Sequence, residues 1–145
     1  MSEVAIVTGA AGGIGEAIVR ALGAQGIAVV GTGRNEGKLR ALSEGLAGTM
    51  QFSTVIADVT DPGAAKAIVD HTLKTYGKVT YLVNNAGAGV WAPVHTTTDE
   101  MMDEVIDISL KAPFRLCREV IPHMGRGCAI ISIGSTFGIM GGMDG

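Results

Sequence analysis

The sequence predicts an α/β fold built on a doubly wound parallel sheet, and three observations predict it. Five short runs are continuously apolar, as strands buried on both faces are. Segments with apolar residues at helical spacing alternate with them, which requires helices on both faces of the sheet. A glycine cluster stands between the first apolar run and the first helical segment.

The first strand is Val4-Ala5-Ile6-Val7, and after the glycines Ile14, Ala17, Ile18, Ala21 and Leu22 mark a helix. Gly26-Ile27-Ala28-Val29-Val30 reads as the second strand, with Gly31-Thr32-Gly33-Arg34 at its end. Asn35 caps a helix whose inner positions are Leu39, Leu42 and Leu46. Phe52 to Ala57 is the third strand. Thr60-Asp61-Pro62 reads as a helix start with proline in the first turn, and Ala64, Ala67, Ile68 and Leu73 as its inner stripe. Val79 to Val83 is the fourth strand, ending in Asn84-Asn85-Ala86-Gly87. Thr98-Asp99-Glu100 opens a long helical region through Met102, Val105, Ile106, Leu110, Phe114 and Val120, with a kink expected at Pro113. Ala129 to Ile133 is the fifth strand. Right-handed crossovers between such strands give a Rossmann-type arrangement. No internal repeat or linker interrupts it, so residues 1–145 read as a single domain. Gly141-Gly142-Met143-Asp144-Gly145 has the composition of a loop.

The 145 residues are 47% apolar and 17% charged, the balance of a core-forming chain. Their 22 glycines follow no three-residue period, which excludes collagen. Eleven basic and 14 acidic side chains leave a formal charge of -3, too acidic and too evenly spread for a nucleic-acid or polybasic membrane partner. No signal peptide or membrane-spanning run is recognisable, so a cytoplasmic location is expected. Cys117 and Cys128 form no C-x-x-C pair and read as buried thiols. His71, His95 and His123 lack ligand spacing, so no metal site is expected.

The glycine cluster carries the first functional signal. Thr8-Gly9-Ala10-Ala11-Gly12-Gly13-Ile14-Gly15 lies between a strand and a helix, where unpaired backbone N–H groups and the helix dipole favour a phosphate. Gly9 makes the tight turn, Gly13 admits a pyrophosphate, and Gly15 lets the helix approach the sheet, with Ala11, Gly12 and Ile14 completing the candidate contact. A glycine-rich connection with no ligand is the plain alternative, but the strand–loop–helix setting favours binding. A P-loop is excluded, because no Gly-Lys-Ser/Thr follows.

With that spacing the chain resembles the short-chain dehydrogenase/reductase family. Asn84-Asn85-Ala86-Gly87 matches the family's motif after the fourth strand, and Ile131-Ser132-Ile133-Gly134-Ser135 matches its strand carrying the active-site serine. The resemblance implies hydride transfer between a nicotinamide dinucleotide and a small carbonyl or alcohol substrate, in a dimer or tetramer. It also implies that Asp58 accepts from the adenine amino group, that Val59 contacts the base, and that Asn85, Ala86 and Gly87 line the adenosine ribose. Thr60 and Asp61 are expected to cap the following helix, leaving Asp58 for the ligand.

The end of the second strand bears on which dinucleotide. The slot where NAD-binding domains place a carboxylate for the ribose 2′-OH holds Gly33, and Arg34 follows it. A guanidinium binds a 2′-phosphate that a carboxylate would repel, so NADP(H) is favoured, with NAD(H) possible. Gly12 stands against this, since relatives using NADP often carry a basic residue there.

The chemistry is only partly present. By resemblance Ser135 steadies the carbonyl oxygen, and Ser109 stands where relatives carry an Asn holding a proton-relay water. The family's acid/base is a Tyr with a Lys four residues later, placed about a dozen residues after the serine. Tyr76 and Tyr81 are the only tyrosines, and Thr80 and Asn85 follow them at that spacing, so no Tyr-x-x-x-Lys occurs. The family has seven strands, and five are legible. The reading is therefore the cofactor-binding portion of a larger oxidoreductase, inactive by itself. Val90 and Trp91 are candidates for a substrate wall. The competing reading is a catalytically dead nucleotide-binding or interaction module. A methyltransferase on the same sheet is disfavoured by Gly33.

Overall fold

Apolar and β-branched residues at Val4–Thr8 (β1), Ala28–Gly33 (β2), Phe52–Ile56 (β3), Tyr81–Asn84 (β4) and Ala129–Ser132 (β5) pair in parallel, in the order β3-β2-β1-β4-β5. This is a computed structural model, and it describes residues 3–138. The glycine-rich tail read as a loop lies outside them. Among the described residues the α-helices between strands are Gly13–Ala24 (α1), Glu36–Leu46 (α2), Ala64–Tyr76 (α3), Asp99–Ile106 (α4) and Ala112–Val120 (α5).

Alternation along each strand divides the core between two faces. Ala5, Val7, Val29 and Val83 pack with Val19 of α1 and Leu39, Leu42 and Leu46 of α2. Ile6, Val30 and Leu82 pack with Ile68 and Val69 of α3 and Leu116 and Val120 of α5. Strand order reverses direction between β1 and β4, so a crevice opens at the carboxyl ends of these strands.

The differences from the sequence expectations have local causes. The second strand begins at Ala28, not Gly26, because Gly26 takes φ 76° to close the end of α1, its N–H reaching the Gly23 carbonyl at 2.9 Å. The third helix begins at Ala64, not Thr60. The chain first turns through Pro62 and Gly63, and the Ala64 N–H meets the Asp61 carbonyl at 3.1 Å. Its buried side is Ala64, Ala65, Ile68, Val69 and Thr72, while Ala67 is exposed. Ends of β1, β3, β4 and β5 shift by one or two residues, which leaves the topology unchanged.

The long helical region is continuous but not uniform. Between α4 and α5 residues Asp107–Lys111 form a π turn, in which the Ala112 N–H bonds the Asp107 carbonyl five residues back. Pro113 has no N–H to give, and its ring would collide with the Ser109 carbonyl. The widened turn absorbs that conflict just ahead of the proline.

Candidate functional site

The opening unit is built from backbone. Gly9 adopts φ 64°, and a side chain there would meet Asn85 Nδ2 at 3.1 Å and the Ala86 backbone at 3.2 Å. Gly15 is tighter still, since a Cβ on it would run into the Gly9 carbonyl. These contacts bring the first turn of α1 against the ends of β1 and β4. A Cβ on Gly13 would meet nothing within 4 Å, so the backbone there faces open space. Gly12 precedes the helix with no side-chain cap, and the first N–H groups of α1 have no partner inside the helix. That is the donor set a diphosphate fits.

Thr8 joins the two strand ends. Its buried Oγ1 accepts from the backbone N–H groups of Asn85 and Ala86, each at 2.9 Å. Asn85 Nδ2 returns a bond to the Thr8 carbonyl at 2.9 Å. The Asn85-Ala86-Gly87 backbone is thereby fixed beside the glycine loop.

On the other side of the loop, Asn35 caps α2 by accepting from the Lys38 N–H at 2.9 Å. Arg34 points across to Asp58, with Nη1 3.5 Å from Oδ2. The expectation that Thr60 is a helix cap and leaves Asp58 unengaged does not hold. Asp58 Oδ1 accepts from the Thr60 N–H at 3.0 Å and the Thr60 hydroxyl at 2.7 Å. Those two bonds hold the Asp58 carboxyl below its ordinary value; burial opposes them, and the Arg34 charge adds a smaller lowering effect. Arg115 of α5 donates to the Thr60 carbonyl at 2.7 Å and braces the same turn.

One cavity of about 580 Å³ collects these groups. Gly9, Ala11, Gly12, Gly13, Ile14, Gly15, Arg34, Asp58, Val59, Asn85, Ala86 and Gly87 all line it. Lys38, Leu39 and Ile108 line it too, and the sequence reading passed over them. Lys38 had a legible signal, lying four residues after Arg34 at the start of a capped helix. Ile108 had none, because its approach depends on the π turn.

The residues expected to carry the chemistry do not line this cavity. Ser109 sits on the π turn next to Ile108 and is exposed, and Ser135 follows β5 by three residues, also exposed. Neither serine, nor Val90 or Trp91, is among the residues lining the cavity. Tyr81 donates its hydroxyl to Glu3 at 2.8 Å, which pushes its pKa up, the reverse of what an acid/base tyrosine needs. Among the described residues no group of three His, Cys, Asp or Glu side chains is placed to hold a metal ion, and no helix is long and apolar enough to cross a membrane.

Comparison with known proteins gives a consistent result. The family model described as short chain dehydrogenase matches residues 3–145. The chain is 36% identical over 141 residues to the 3-oxoacyl-(acyl-carrier-protein) reductase of Escherichia coli, covering 96% of this chain and 57% of that protein. It is 32% identical over 143 residues to sulfoacetaldehyde reductase 2 of Chromohalobacter salexigens, covering 95% of this chain and 56% of the relative. Among solved structures, a blue fluorescent protein from a metagenomic library in complex with NADPH superposes with a TM-score of 0.91 at 33% identity, covering 97% of this chain and 58% of that one. A short chain dehydrogenase from Burkholderia cenocepacia in complex with NADP gives 0.93 at 29% identity, covering 99% and 59%. The chain thus spans little more than half the length of the relatives it matches.

Proposed function

The chain belongs to the short chain dehydrogenase family, and from that premise we propose that residues 1–145 are one NAD(P)-binding unit of an oxidoreductase acting on a small carbonyl or alcohol substrate. The observation that carries this reading is the cavity in which the uncapped start of α1, Arg34, the Asp58–Val59 turn and Asn85–Gly87 converge. NADP(H) is the preferred cofactor and NAD(H) the weaker one. The backbone N–H groups of Gly13, Ile14 and Gly15 would hold the diphosphate, and Arg34 with Lys38 the 2′-phosphate. Asp58 and Val59 would meet the adenine, and Asn85 to Gly87 the ribose. Relatives and neighbours named as reductases or as NADP(H) complexes support the assignment.

When bound, the dinucleotide supplies the hydride. The protein's share is to polarise the carbonyl oxygen, for which Ser135 is the proposed donor, and to deliver a proton. Ser109 is proposed to hold a relay water, with fewer bonding options than an amide. The proton donor is not among these 145 residues, because no Tyr-x-x-x-Lys occurs and Tyr81 is engaged by Glu3. A cytoplasmic location and a homo-oligomer, with exposed Leu110 and Phe114 at the contact, complete the proposal.

Titration calorimetry of the 145-residue chain tests it. NADP⁺ should bind weakly but more tightly than NAD⁺, and absence of heat with both overturns the assignment. In a steady-state assay with NADPH and a carbonyl substrate no turnover is expected, since the missing acid/base costs about 10²–10⁴ in rate. Measured NADPH oxidation would overturn that part.

A further inference from the structure

We infer that Asp58 sets how strongly this site prefers a 2′-phosphorylated nucleotide, by competing with the phosphate for Arg34. The inference rests on the cofactor reading above and gives Asp58 a second role in it. Among the described residues the cavity is lined by two cations, Arg34 and Lys38, and by a single carboxylate, Asp58. Glu36, the acid nearest in sequence to Arg34, is exposed and lies outside the lining.

Three features make Asp58 a fixed anion and not a passing neighbour. Its Oδ1 is held by the N–H and the hydroxyl of Thr60 at 3.0 and 2.7 Å. The Thr60 carbonyl is in turn held by Arg115 at 2.7 Å, which ties the turn to α5. The other oxygen, Oδ2, is left facing Arg34 Nη1 at 3.5 Å. Arg34 is long and its side chain is 71% exposed, so it is the mobile member of the pair. A 2′-phosphate must draw this guanidinium away from Asp58, whereas a 2′-hydroxyl leaves the pair undisturbed. The carboxylate therefore taxes only the phosphorylated ligand. Contacts between Asp58 and the adenine are common to both ligands and cancel in the ratio of their affinities.

The experiment uses 2′,5′-ADP and 5′-AMP as probes, titrated calorimetrically into the chain and into Asp58→Asn, Arg34→Leu and the double variant. Asn keeps an Oδ1 to accept from Thr60 while removing the charge. Asp58→Ser does the same with a hydroxyl and replaces it if the Asn variant does not fold. Neutralising Asp58 should raise the 2′,5′-ADP to 5′-AMP affinity ratio about three- to five-fold, the range an exposed ion pair allows. In the Arg34→Leu background the same change should leave the ratio flat. A ratio unmoved by Asp58→Asn overturns the inference, and so does an equal rise in both backgrounds, which would mean that Asp58 acts on the phosphate without Arg34. Binding of neither probe to any variant would instead remove the cofactor reading, and this inference with it.

Discussion

β1 and β5 are both short, apolar and parallel to β4, yet they stand in opposite surroundings. Every residue of Val4–Thr8 is buried, and every residue of Ala129–Ser132 is exposed. β1 has β2 and β4 as neighbours and core on both faces, whereas among the described residues β5 is hydrogen-bonded only to β4. Ile130, Ile131 and Ile133 keep 38–43% of their surface, and Leu110 and Phe114 each keep 64%. Composition alone thus does not decide burial; position in the sheet does. The difference bears on the proposed function, because the loops that line the cavity follow β1, β2, β3 and β4, while Ser135 follows β5. In the proposed function, then, the cofactor cradle and the carbonyl-polarising serine stand on differently supported parts of the sheet.

The largest test of this contrast compares one isoleucine from each strand. Ile6 is fully buried and Ile131 is 42% exposed. Ile6→Ala should lower the unfolding free energy by about 3–4 kcal/mol through lost burial and a cavity, and Ile131→Ala by less than about 1 kcal/mol. Urea unfolding of both variants measures the gap. Equal losses would mean that β5 is covered in solution, for instance by a second copy.

A smaller effect is expected where the packed half meets the site. Thr8→Val keeps the shape of the side chain but withdraws the acceptor shared by the Asn85 and Ala86 N–H groups. Two donors left without a partner should cost about 2–3 kcal/mol. Because the same residues line the cavity, the nucleotide dissociation constant should rise with the loss of stability. Retained stability and affinity together would show that Thr8 is not the link between β1 and the β4 loop.

How much of this was legible follows the same division. The five strands, the Asn35 cap and most of the residues around the cavity could be read from the chain, because turn glycines and strand-end motifs are local signals. The start of α3 was misread because Thr60 has two plausible partners, a helix N-terminus or the Asp58 carboxylate, and only the fold shows that Asp58 holds it. The role of Ile108 was illegible for a related reason. Its place depends on a π turn set by Pro113, and a 3.6-residue periodicity carries no sign of the widened turn. The Arg34–Asp58 contact spans 24 positions, and no local pattern predicts it.

The smallest expected effect concerns that Asp58 turn, and its sign follows from the depressed pKa. The Thr60 hydrogen bonds, then Arg34, favour the ionised carboxylate in the fold. A carboxyl whose folded pKa lies below its unfolded one contributes stability above the ordinary carboxylate range and loses it as the pH falls through the folded value. Asp58 keeps 30% of its side-chain surface, so solvent screening limits the contribution to about 0.5 kcal/mol. Between pH 7 and the acid side of the carboxylate range, the wild-type chain should therefore lose about that much more stability than Asp58→Asn, whose amide does not titrate. Parallel urea unfolding curves at the two pH values read the difference. Identical acid losses would mean that the turn is held by its neutral hydrogen bonds, and that Asp58 contributes to the packed half by geometry rather than by charge.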